Sequence, residues 1–67
     1  MNLKPQAFDV LQALKFQYNV CKIWRLAHEL GIPEASVRRS IHELRRFGHH
    51  ITVDFGIATL VKPRRNF

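Results

Sequence analysis

The chain has 67 residues, 46% of them hydrophobic, enough for one small core and too few for a separate catalytic or ligand-sensing unit. Its 11 basic residues against 5 acidic ones leave a formal charge of +6, which favours a polyanionic partner, either nucleic acid or an anionic membrane surface. No apolar run approaches the ~18 residues of a membrane span. No secretory signal is read and Cys21 is the lone cysteine, so no membrane partner and a reducing, cytoplasmic setting are expected.

Pro5 opens a helical pattern that runs to about Phe16, with Ala7, Val10, Leu11 and Leu14 inward and Phe8 at its edge. Residues 17–22 are ambiguous. Asn19 suits the cap of a helix beginning at Val20, because Val20, Ile23, Trp24 and Ala27 recur at helical spacing. Cys21 reads as a small buried hydrophobe and Trp24 as a packing residue at a helix edge. Ile23, Leu26, Ala27 and Leu30 then form one stripe, and Arg25 and Glu29 stand at ion-pair spacing.

Gly31 falls where a helix needs a left-handed C-terminal cap. Ile32 is a poor N-cap, but Pro33 suits the first turn of a new helix and Glu34 complements its dipole. Over about residues 33–47, Val37, Ile41, Leu44 and Gly48 fall on one side. Ala35, Arg39, His42 and Arg46 fall on the other, with Arg38 on the flank. Small Ala27 lets the two helices cross closely.

After Gly48 the period changes to two. Ile51 and Val53 alternate with His50 and Thr52, and Ala58 and Leu60 with Thr59 and Val61. A two-residue turn at Phe55-Gly56 pairs Val53 with Ala58 and Ile51 with Leu60. A three-residue turn with Gly56 left-handed has better loop chemistry and worse alternation, so the register stays open. Lys62, Arg64 and Arg65 form a second cationic cluster over 62–67, either a solvated end or an arm along phosphates.

Amphipathic helix pairs are common, and arginines on a solvated face often do no more than keep a protein soluble. Here a tight turn, a buried stripe and arginines concentrated on the outward face combine into a helix-turn-helix with a basic second helix. Such a rod fits the major groove of double-stranded DNA. Ala35, Ser36, Arg39 and His42 lie nearest the base edges, with Arg39 suited to bidentate contact with guanine. Lys22, Arg25, Arg38, Arg45 and Arg46, with the tail's Lys62, Arg64 and Arg65, are placed to hold phosphates. A module this small is expected to act as two copies, as a homodimer or by cooperative assembly on DNA.

The string Leu26-Ala27-His28-Glu29-Leu30-Gly31-Ile32, followed by Val37, Ile41, Leu44 and Gly48, resembles the winged helix-turn-helix of bacterial regulators. The similarity is to the N-terminal DNA-binding domain of the biotin-operon repressor type and covers nearly the whole chain. It implies a mainly α domain over residues 1–61: three helices, a recognition helix at about 33–47, and a small β-hairpin as the wing. It also offers a second reading of the ambiguous segment, with Asn19–Cys21 as a short strand paired with the wing. The chain departs from that pattern at Pro33, where a serine or threonine cap is usual, and at Lys22, where a polar cap would open the second helix. The wing tip Asp54-Phe55-Gly56-Ile57 carries no basic residue.

Other constellations are read as structural. Asp54-Phe55-Gly56 copies a kinase tripeptide, but it stands alone and reads as a turn. His28, His42, His49 and His50 with Cys21 match no zinc spacing. No nucleophile with its base, carboxylate pair or phosphate-cradling loop is present, so neither catalysis nor a cofactor or metal is inferred. A small transcriptional regulator of phage, plasmid or bacterial type is the leading expectation. A protein-interaction winged domain, a recombination directionality or architectural DNA-binding factor, and an RNA-binding domain are the alternatives.

Overall fold

Three helices and a three-stranded antiparallel sheet make a mainly helical domain in the computed structural model, which describes residues 4–61. The order is α1 (Pro5–Phe16), β1 (Val20–Lys22), α2 (Ile23–Leu30), α3 (Glu34–Arg46), β2 (Ile51–Asp54) and β3 (Ile57–Leu60). The cationic tail, with Lys62, Arg64 and Arg65, lies outside the described residues.

All three helices end in the same way. An amide two or three residues past the last helical position bonds five residues back: Asn19 N–H to Leu14, Ile32 to Ala27 and His49 to Leu44, at 2.9–3.0 Å. The preceding amide closes the inner loop, from Tyr18, Gly31 and Gly48 to Lys15, His28 and Arg45. This closure requires a left-handed residue, which Gly31 (φ 65°) and Gly48 (φ 93°) supply freely. Tyr18 takes the same role after α1 at φ 59°, and Asn19 follows at φ 72°. Gly48 is therefore exposed beyond the end of α3, not on its apolar side as the periodicity suggested.

No helix starts at Val20. Two successive left-handed residues turn the chain out of α1, and Val20–Lys22 instead pairs with β3 in the register Val20↔Thr59, Cys21↔Ala58, Lys22↔Ile57. Asn19 joins the same ladder, its carbonyl accepting Leu60 N–H at 2.7 Å. Strand β3 lies centrally in the order β1-β3-β2. Along the hairpin, Ile51 faces Leu60 and Val53 faces Ala58, which decides for the two-residue turn. Its central residues, Phe55 and Gly56, both have positive φ (51° and 73°), the signature of a type I′ turn.

The core joins one face of each element. Ala7, Val10, Leu11 and Leu14 of α1 meet Ile23, Leu26 and Ala27 of α2 and Val37, Ile41 and Leu44 of α3, while Cys21, Ile51 and Ala58 close it from the sheet. Leu30, Ile32, Val53 and Leu60 pack around its margin. Burial pushes the Cys21 thiol up from its ordinary value of 9.0, and the Glu29 carboxylate adds to the shift against Arg25 and a backbone bond at Lys22.

Two predictions test these features. Phenylalanine is poorly suited to a left-handed turn position, where a bulky L-residue is strained by roughly 1–2 kcal/mol. Phe55→Asn should therefore raise stability by about 1 kcal/mol and Tm by about 4–8 °C on thermal melting; an unchanged or lower Tm contradicts the strained turn. The raised thiol favours the folded state fully below the unfolded pKa, and this contribution is lost as pH climbs through the folded one. Urea midpoints measured from about pH 8 to 10 should fall less steeply in Cys21→Ala than in the parent.

Candidate nucleic-acid interface

The buried side of α3 is wider than its apolar spacing suggested. Ser36 and Ser40 are buried beside Val37, Ile41 and Leu44. Their small side chains suit the face against which α1 crosses, and Ser40 Oγ donates to Gln6 Oε1 of α1 at 3.5 Å. Ser36 is only 7% exposed, which corrects its place among the base-facing residues. Its hydroxyl instead accepts a bond from Arg39 Nη2 at 3.3 Å, a contact that orients the guanidinium. Helical spacing alone does not reveal which flank of α3 a third helix covers.

The opposite face is open to solvent. Ala35, Arg38, Arg39, His42 and Arg46 are all exposed. The one ion pair among the described residues joins Arg25 Nε to Glu29 at 3.3 Å, the pairing the sequence spacing indicated. At an exposed position it contributes only about 0.3–0.5 kcal/mol. The α3 arginines therefore carry their charge outward without an acidic partner among the described residues.

Arg45 is different. Its Nε donates to the Ile51 carbonyl at 2.7 Å, tying the last turn of α3 to the outer edge of β2. Its Nη groups are left for another acceptor. Arg45 also lines an open depression with His49, His50 and the edge of β2.

The cations divide among separate depressions. Arg38, Arg39 and His42 share one of about 630 Å³ with Gln6 and Ser40. Lys22 and Arg25 share another of about 290 Å³ with Val20, Trp24 and Ile57. Lys22 lies on the outer face of the sheet, in line with Ile57 and Asp54. Sequence reading missed two neighbours of α3: Gln6, delivered by α1, and the His49-His50 corner beside Arg45. Both depend on chain segments brought together only by packing. The turn tip offers phosphates no cation, since Asp54 is exposed and Phe55 is 96% exposed.

A further depression, about 810 Å³, lies between the end of α1 and the base of the hairpin, where Lys15, Tyr18, His49 and Leu60 meet. Among the described residues, no three His, Cys, Asp or Glu side chains converge as metal ligands, and no helix is long and apolar enough to cross a membrane. The chain matches no known family profile, no curated protein and no solved structure.

The Arg45 bond gives a direct test. Arg45→Met keeps the apolar stem and removes the donor, so stability should drop by about 0.5–1.5 kcal/mol. Amide exchange at Thr52 and Thr59, paired across the hairpin, should quicken. Unchanged exchange would leave the bond without a structural role.

Proposed function

We propose that this chain is a sequence-specific double-stranded DNA-binding domain of the winged helix-turn-helix kind, acting as a small transcriptional regulator. The observation that carries this reading is α3 itself. One face is buried by α1 and α2, while the other presents Arg38, Arg39, His42 and Arg46 with no acidic partner among the described residues. A three-residue turn, Gly31 to Pro33, sets α3 against α2, and the hairpin follows as a wing.

In this reading α3 lies in the major groove. Arg39, steadied by Ser36, reads a guanine edge through paired donors, and Ala35 and His42 face neighbouring bases. Arg38, Arg46 and the Nη groups of Arg45 hold phosphates and set the register without reading sequence. Ser36 acts through Arg39 and not on a base. Lys22 and Arg25 line a separate depression, so the phosphate grip is assigned first to the α3 arginines.

Binding of the purified protein to random duplex DNA, a selected duplex site and single-stranded RNA separates this reading from its rivals. Tighter binding to the selected duplex is expected, and preference for the RNA would sink the proposal. Arg39→Ala should weaken the selected site by about 1–3 kcal/mol and relax one base position. An equal loss on random duplex would reassign Arg39 to phosphate. Arg38→Ala and Arg46→Ala should weaken all duplexes alike, each lowering the slope of log affinity against log salt by about 1.

A further inference from the structure

The outer face of the sheet takes no part in the α3 surface, and no described element covers it. Cys21, Val53 and Ala58 point to the core, so their strand neighbours point away from it. Strand register arranges these outward residues in two rows, Lys22–Ile57–Asp54 and Val20–Thr59–Thr52. Adjacent strands lie about 4.8 Å apart, which leaves Lys22 and Asp54 of one chain about 10 Å from each other. Asp54 has no ion-pair partner among the described residues. At the same end of the sheet stand two exposed aromatics, Trp24 at 55% just beyond Lys22 and Phe55 at 96% just beyond Asp54.

The row Lys22–Ile57–Asp54 is complementary to itself. A two-fold axis parallel to the strands, lying over β3 and midway between two facing sheets, sets Lys22 of each copy opposite Asp54 of the other. Ile57 then meets Ile57, and Thr59 meets Thr59. Because Trp24 and Phe55 extend past the same end of the row on opposite sides, the same axis brings Phe55 of each copy towards Trp24 of the other. We propose that this chain forms a two-fold homodimer through the outer face of its sheet, closed by reciprocal Lys22–Asp54 pairs and by Phe55 against Trp24.

Both copies use the same patch, so the arrangement closes at two. It gives a role to Asp54, which has no ion-pair partner among the described residues, and to Phe55, a bulky aromatic on a turn that disfavours it. The acid lies where it meets a cation of the second copy. A cationic tip would have met like charge there.

A face of two short rows belongs among weak interfaces, below about 1,200 Å² in total, so association is read at high concentration. Sedimentation equilibrium up to about 1 mM protein, without DNA, spans the range in which such a contact populates. Leaving DNA out makes the result independent of the proposed DNA binding. The parent's mass should rise towards that of two copies. Phe55→Asn, which suits the turn better, should weaken association at least about tenfold while keeping the hairpin. Asp54→Lys and Lys22→Asp should each do the same. Lys22 occupies the N-cap of α2, where aspartate is favoured, so loss of folding does not confound that variant. An equimolar mixture of Asp54→Lys and Lys22→Asp chains should recover a dimer, because both opposite-charge pairs are restored across the interface.

A parent that stays monomeric throughout overturns the proposal. So does association that is indifferent to Phe55→Asn or to either charge reversal, or a mixture that fails to recover. A monomeric parent whose DNA affinity falls on Phe55→Asn would assign the tip to DNA and overturn it as well.

Discussion

The carbonyl of Gly56 accepts the amide of Ile23 at 2.8 Å, and through this bond the hairpin turn sets where α2 begins. β1 runs into α2 without a connecting residue, and its ladder on β3 simply continues into the first amide of the helix. No side chain caps α2, so the sheet itself supplies a partner for an amide the helix leaves unpaired. On the other side of β3, the hairpin carries β2, whose outer edge receives Arg45 from α3. β3 thus braces both helices of the α2–α3 pair. Each such bond contributes only about 1 kcal/mol net, but an unmet buried group costs more, and small domains have a total margin of only about 5–15 kcal/mol.

The division of labour on α3 follows from that bracing. α1 and α2 both press on it, so its buried face includes two serines as well as the aliphatic stripe. Serine is tolerated there because each hydroxyl finds a partner, Gln6 for Ser40 and Arg39 for Ser36. The second of these links the packed side to the charged one. A guanidinium held by a neighbouring hydroxyl has fewer conformations to lose when it meets a planar acceptor. Arg45 shows the opposite use of the same side chain, spending one donor on the fold and keeping the others.

Local pattern made much of the fold legible. The bounds of α1 and its inward residues, the cap at Gly31, the stripe Val37–Ile41–Leu44 and the alternation of the hairpin all follow from periods of 3.6 and 2 and from glycine's freedom at positive φ. These signals lie within a few residues of the element they specify. The start of α3 differs from the sequence expectation by a single residue, because Pro33 serves as its cap and not as its first helical position.

What the sequence by itself determined, then, was the set of helices, the hairpin and the cationic outward strip that includes Arg39, His42 and Arg46. Tertiary structure alone decided the rest. Tyr18 occupies a glycine's place after α1, so the local pattern left both a helix and a strand open for the segment that follows; the distant strand β3 selects the strand by offering a ladder. Ser36 is hidden because α1 covers that flank of α3, and Arg45 is half committed because β2 ends beside it. Each outcome depends on partners remote in the chain, and burial and hydrogen bonding are settled only once those partners meet.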